Sequence, residues 1–231
     1  KHNANIYFDF DGTLLDTIDD LAASTNYALR RNGYPEHELA AYRYFVGNGV
    51  AKLIERALPE AERSAQNVER LRRDFVEYYT EHSADLTKPY PGIRETVSEL
   101  GRRGIVRAVA SNKYQAATEK LVAHFFGEET FRVVLGQREG IAPKPDPTIV
   151  RDILSRTGFA PAETLYVGDS CVDMQTARNG GLRSVGVSWG FRPRAECTQT
   201  CCRYFHGTAR SNIRPYESRP PCAAGVRIPN R

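Results

Sequence analysis

The residues best suited to chemistry come early, where the apolar run Ile6-Tyr7-Phe8 stops at Asp9-Phe10-Asp11-Gly12-Thr13. β-Branched and aromatic residues suit a buried strand, and Gly12 with the polar residues after it lets the chain leave a sheet. Asp9 and Asp11 then stand at the strand's carboxyl end, where open α/β sheets bind ligands. Two carboxylates one residue apart, with nothing basic beside them in sequence, suit a hard cation. A lone Asp-Gly would read as a turn that caps the next helix, but Asp-x-Asp-Gly-Thr directly after a buried strand is more specific. Three further polar stretches stand downstream: Ser111 in Ala110-Ser111-Asn112-Lys113, which by itself also suits a helix start, Lys144 in Pro143-Lys144-Pro145-Asp146-Pro147, a distinctive setting for a residue that in isolation is usually solvated, and Asp169 with Asp173 in Gly168-Asp169-Ser170-Cys171-Val172-Asp173. A hydroxyl just past a strand donates to phosphate oxygens, and prolines on both sides of Lys144 oppose helix and aim its ammonium. Asp173 equally suits a helix cap, and Asp16 suits a cap better than chemistry.

Elements must bring these groups together. After Asp16 the apolar spacing turns helical, with Leu21, Ala22 and Tyr27-Ala28-Leu29, then Val50 to Ile54 and Val68 to Tyr79, and no strand signal intervenes up to residue 86. Pro89, Pro91 and Gly92 punctuate the chain, and from there strands alternate with helices. The strands are predicted over 105–110, 132–135, 164–167 and 184–188, with helices over 93–103, 115–125 and up to about 157. Such alternation means a parallel sheet with crossover helices, an α/β fold. The expected organisation is a core of residues 1–15 and 87–191, a helical insertion over 16–86, and an atypical tail over 192–231, with hinges near 12–16 and 87–92.

The four chemistry-bearing stretches, in this order, resemble the signatures of the haloacid dehalogenase-like hydrolases. The resemblance covers about residues 4 to 191. It implies a Rossmann-like core with a helical cap domain inserted after the first strand. It implies Mg²⁺ held by the Asp9 carboxylate, the Asp11 main-chain carbonyl and Asp169, with Asp173 in support. Asp9 would be the nucleophile that becomes an aspartyl-phosphate, Asp11 the general acid and base, and Ser111 and Lys144 the groups that orient and neutralise the phosphoryl group. A dehalogenase is disfavoured, because those relatives lack the second carboxylate that Asp11 supplies. Val46-Gly47-Asn48-Gly49-Val50 resembles the cap loop of bacterial phosphoglycolate phosphatases, although it also suits an ordinary helix–helix turn. Ser111-Asn112-Lys113 shares that likeness, which adds Gly12, Asn48, Gly49, Asn112 and Lys113 as candidates for contact with phosphate or substrate. Lys113 would meet a substrate carboxylate. Phosphomutases of the β-phosphoglucomutase type share all four signatures, so a mutase or a pyrophosphatase stays open, as does a non-catalytic binding module on the same scaffold.

Composition bounds the rest. The net charge of +4 resides in the tail, where residues 192–231 hold eight Arg against two Glu and carry +6, leaving the remainder at −2. Nucleic acid is therefore not an expected partner; a small phosphorylated metabolite is, with the protein a monomer or homodimer. No run approaches the roughly 18 apolar residues of a membrane helix, and the opening residues show no signal-peptide core, so a soluble cytoplasmic protein is expected. Cys171 is the one cysteine ahead of the tail, which excludes a disulfide framework for the main fold. The family would add a further short strand and a helix after about residue 191, whereas this tail is rich in Arg, Cys and Pro, which leaves open a flexible tail, a shifted reading frame or a real extension; if it is foreign to the fold, one sheet edge is exposed. Cys197, Cys201, Cys202 and His206 are close enough to suggest Zn²⁺ but lack a second Cys-x-x-Cys pair.

Overall fold

A computed structural model describes residues 5–192 and 203–205. The chain opens with strand β1 (Asn5–Phe8) and a two-residue strand β2 (Leu15–Asp16). Four helices follow, α1 (Ile18–Arg31), α2 (Leu39–Phe45), α3 (Val50–Ala57) and α4 (Ala65–His82), and then a second two-residue strand, β3 (Lys88–Pro89). The α/β alternation comprises α5 (Ile93–Arg102), β4 (Val106–Tyr114), α6 (Gln115–Phe126), β5 (Val133–Gln137), α7 (Thr148–Thr157), β6 (Thr164–Gly168), α8 (Cys171–Gly180) and β7 (Arg183–Val187). A last strand, β8 (Arg203–Phe205), lies in the tail.

The sheet order is β5-β4-β1-β6-β7-β8, all parallel, so β1 is central. Phe8 stands opposite Val109 on one side and Val167 on the other, which brings the ends of β1, β4 and β6 level. Side chains alternate across the sheet as strand geometry requires. Tyr7, Ala108 and Tyr166 pack on Ile149, Ile153 and Ala177 of α7 and α8, while Phe8 and Val109 pack on Val97 and Leu121 of α5 and α6. The four helices between β2 and β3 bury their own cluster, with Leu29, Ile54, Leu71 and Phe75 almost fully covered.

Three features depart from the sequence reading. β2 and β3 pair antiparallel, Leu15 with Pro89 and Asp16 with Lys88, so the two linkers run as one ribbon where only punctuation was visible. A two-residue strand carries no period. Asp20, 2 % exposed, reinforces the ribbon by accepting from the backbone N–H groups of Leu86 and Thr87. Second, β4 does not stop at Ala110 but runs to Tyr114, with an irregular register between these two residues that places Ser111-Asn112-Lys113 in a bulge. Third, the edge that a foreign tail would leave open carries β8, which pairs with β7 from Val185–Arg203 to Val187–Phe205. Three residues set among Cys and Arg give no strand signature. Cys197, Cys201, Cys202 and His206, the suggested Zn²⁺ ligands, lie outside the described residues, as do the other residues of the tail.

Candidate active site

The sheet's carboxyl edge gathers the acidic residues. Asp9 follows β1 directly, and its N–H donates to the carbonyl of Val167 at 2.8 Å. Asp169 follows β6. Asp173 lies in the first turn of α8, whose start is a capping box: the Ser170 N–H and Oγ both donate to Asp173 Oδ2, at 3.1 and 2.6 Å, while the Asp173 N–H points back to Ser170 Oγ. Asp173 is thus a helix cap through one oxygen, and its other oxygen, Oδ1, accepts from Lys144 Nζ at 2.7 Å. The loop between β5 and α7 delivers Lys144, and its ammonium also donates to Asp9 Oδ1 at 2.7 Å and to the Ala110 carbonyl at 3.1 Å. The Tyr166 hydroxyl lies 3.1 Å from the same nitrogen. Burial alone would lower the Lys144 pKa, but Asp173 and Asp9 outweigh it and hold the ammonium well above the ordinary lysine value.

A second ion pair stands beside the first. Asp11 turns its carboxylate away from the other acids, toward Lys113 Nζ at 3.0 and 3.1 Å and toward the Thr17 hydroxyl, which donates at 2.7 Å. Lys113 is deeply buried, and Asp11 raises its pKa against the effect of burial. Ser111 is 1 % exposed and accepts the Lys113 N–H at its Oγ. The cleft over these groups is lined by Asp9, Asp11, Ser111, Lys113, Lys144 and Asp169 from the sheet side, and by Gly47, Gly49 and Tyr79 among residues of the helical block.

The remaining expected residues divide. Gly49 lines the cleft at φ +83°, a backbone conformation that side chains rarely adopt, and a Cβ there would stand at ordinary contact distance from the Asn112 carbonyl. Gly12, also at φ +83°, supports Asp169, since a Cβ would collide with that carboxylate, and its N–H donates to the Leu15 carbonyl. Asn112 is not free for phosphate: its Nδ2 donates to the carbonyls of Gly47 and Lys144, and its Oδ1 accepts the Lys144 N–H at 2.7 Å. The β4 bulge sets this amide between the helical block and the Lys144 loop, which makes it a bridge. Asn48 does not line the cleft, because Arg56 draws its Oδ1 into a 2.8 Å hydrogen bond.

The oxygens of Asp9, Asp169 and Asp173 lie within 4.8 Å of one another, all buried. Burial, with Asp173 adding to it, pushes Asp169 up to about 7 and Asp9 well above the usual carboxylate range despite Lys144. Three acids facing one ammonium, with oxygen donors and no Cys or His among them, fit a hard divalent cation of the Mg²⁺ kind. The Asp11 side chain stands outside this cluster.

The chain's similarities accord with this geometry. The family model for haloacid dehalogenase-like hydrolases matches residues 6–187. The chain belongs to the haloacid dehalogenase-like hydrolases. Among its relatives, the phosphoglycolate phosphatase of Mesorhizobium japonicum is 34% identical over 191 residues, spanning 82% of this chain and 84% of that protein. The phosphoglycolate phosphatase of Pseudomonas putida is 34% identical over 190 residues, 80% of this chain and 70% of that one. A crystal structure from Lactobacillus delbrueckii subsp. bulgaricus superposes with a TM-score of 0.83 at 31% identity, covering 90% of this chain and 95% of that chain.

Within this hydrolase fold, sequence reasoning passed over three contributors. Tyr166 reads as core in a buried strand, yet its hydroxyl reaches both Lys144 and the Ala110 carbonyl. Thr17 reads as a helix start, yet it holds Asp11. Phe191 acts through its backbone, whose N–H donates to Asp169 Oδ2 at 2.8 Å, and no side-chain signal could announce that.

Proposed function

We propose that this hydrolase is a Mg²⁺-dependent phosphatase that cleaves a small phosphate monoester, best matched by 2-phosphoglycolate, through an aspartyl-phosphate on Asp9. The observation that carries the proposal is Asp9 itself. It closes the central strand, is tied through Oδ1 to a buried lysine, and faces a cleft that also presents carboxylate, hydroxyl and ammonium groups. That is the set of groups phosphoryl transfer calls for. The names of the relatives support 2-phosphoglycolate as the substrate.

In this reading the Asp9 carboxylate attacks phosphorus, the bond from phosphorus to the ester oxygen breaks, and Asp11 gives the departing oxygen a proton. Asp11 then takes a proton from water, which attacks the acyl phosphate and releases inorganic phosphate with Asp9 restored. Ser111 and Lys144 orient and neutralise the transferring group. Asp9, Asp169 and Asp173 would hold Mg²⁺, with the Asp11 main-chain carbonyl; the ion, when bound, offsets the negative charge that would otherwise repel the substrate. Residues 16–86 act as a cap over a core of 1–15 and 87–191, and Lys113 meets the leaving group's carboxylate.

A panel of small phosphate esters assayed with Mg²⁺ beside Asp9→Asn tests this. We expect phosphate release from 2-phosphoglycolate by the native chain and a loss of more than about a thousandfold in the variant, since the nucleophile is gone. Comparable turnover by the variant removes Asp9 from that role. Isomerisation of a sugar phosphate with a bisphosphate activator, without hydrolysis, would replace the phosphatase by a mutase.

A further inference from the structure

Tyr79, near the end of α4, is fully buried and lines the cleft, and among the described residues its hydroxyl has the Lys113 ammonium, a donor only, beside it and no acceptor for its own proton. The ring is well supported. It stacks on Phe75 with centroids 5.2 Å apart and meets Tyr114 edge-on. Lys113 Nζ lies 4.8 Å from the ring centre, and the same ammonium holds Asp11.

A phenylalanine would fill the same hydrophobic space. A buried hydroxyl without an acceptor costs roughly 1–3 kcal/mol, so its presence needs a compensating contact. The contact that matches is an oxygen anion. The hydroxyl is a donor, the neighbouring lysine is a cation, and Asp9, Ser111 and Lys144 line the same cleft. A carboxylate set between Tyr79 and Lys113 would accept from both, where a methyl group would leave the hydroxyl without an acceptor and the ammonium without its second anion.

We propose that Tyr79 is a specificity residue that, with Lys113, reads a carboxylate on the leaving group of the phosphate ester. This rests on the phosphatase reading above and adds the side of the substrate that the helical block recognises.

The test compares 2-phosphoglycolate with ethyl phosphate, in which a methyl group replaces the carboxylate, using the native enzyme and Tyr79→Phe with Mg²⁺. In the native enzyme, kcat/KM favours 2-phosphoglycolate. In Tyr79→Phe that preference falls about tenfold, and a higher KM for 2-phosphoglycolate carries the fall. Thermal unfolding shows the variant at least as stable as the native chain, because a hydroxyl without an acceptor has been removed from the interior. A preference that does not change, whether both esters slow together or neither does, overturns the proposal. Native enzyme that cleaves ethyl phosphate as well as 2-phosphoglycolate also overturns it, while leaving the phosphatase reading intact. Native enzyme that cleaves neither ester removes the 2-phosphoglycolate reading on which the proposal rests.

Discussion

Replacing Lys144 by Met removes one ammonium and leaves the side-chain volume nearly unchanged. Lys144 Nζ is shared by two carboxylates, each at 2.7 Å, and is 2 % exposed. Removing one partner of a buried pair costs about 3–5 kcal/mol. With two pairs on one nitrogen, and Asp169 adding its charge to the cluster, we expect the upper end, about 5 kcal/mol, whenever the acids are ionised. The sign with pH follows from linkage. Burial and Asp173 raise Asp9 while Lys144 lowers it, so in the variant the Asp9 pKa rises further above its unfolded value. The folded variant then holds more protons than its unfolded chain over the interval between those two values. Its stability is fully present below the unfolded carboxylate pKa and is lost as pH climbs toward the folded one. Urea unfolding of both proteins at pH 5 and pH 8, without divalent ions, should show a destabilisation at pH 8 that exceeds the one at pH 5 by at least about 1.4 kcal/mol, one pKa unit's worth. Equal destabilisation at the two pH values would refute the idea that the lysine's structural task is to neutralise these acids.

Further outcomes follow from the same geometry. Asn112→Ala frees the Gly47 and Lys144 carbonyls and the Lys144 N–H, which should cost about 1–3 kcal/mol and speed amide exchange in the loop around residue 47, read by hydrogen-exchange mass spectrometry. Gly12→Ala imposes a side chain at φ +83° and drives it into Asp169, so calorimetric titration should show Mg²⁺ affinity reduced at least tenfold. Asp20→Ala leaves two backbone N–H groups of the second linker unpaired, and chemical denaturation should register a loss of about 2–3 kcal/mol.

Much of this architecture was legible because its signals are local. The β1 run and the acids that end it, the alternation after Gly92, and the proline-flanked Lys144 each reside in a few adjacent residues, and the sheet then brings them to one edge. What stayed hidden depends on partners distant in sequence. Nothing near Asp20 foretells that it takes backbone N–H groups 66 and 67 residues away. Asn112 looks like a ligand for phosphate until the bulge in β4 commits its amide to Lys144, and Asn48 looks the same until Arg56 claims it. The pairing of Lys113 with Asp11 spans 102 residues, so spacing could suggest a cation near the substrate but not the acid beside it.

The ribbon of β2 and β3 has one more consequence. Asp16 and Lys88 are opposite partners on neighbouring antiparallel strands, which stand only about 5 Å apart. The outgoing and returning chain therefore pass through a single doorway, and a two-residue turn would be long enough to join them. The helical segment is in this sense a plug-in: exchanging it for a larger or smaller one requires no change of register in the parallel sheet, only a fresh pair of ends at the same threshold.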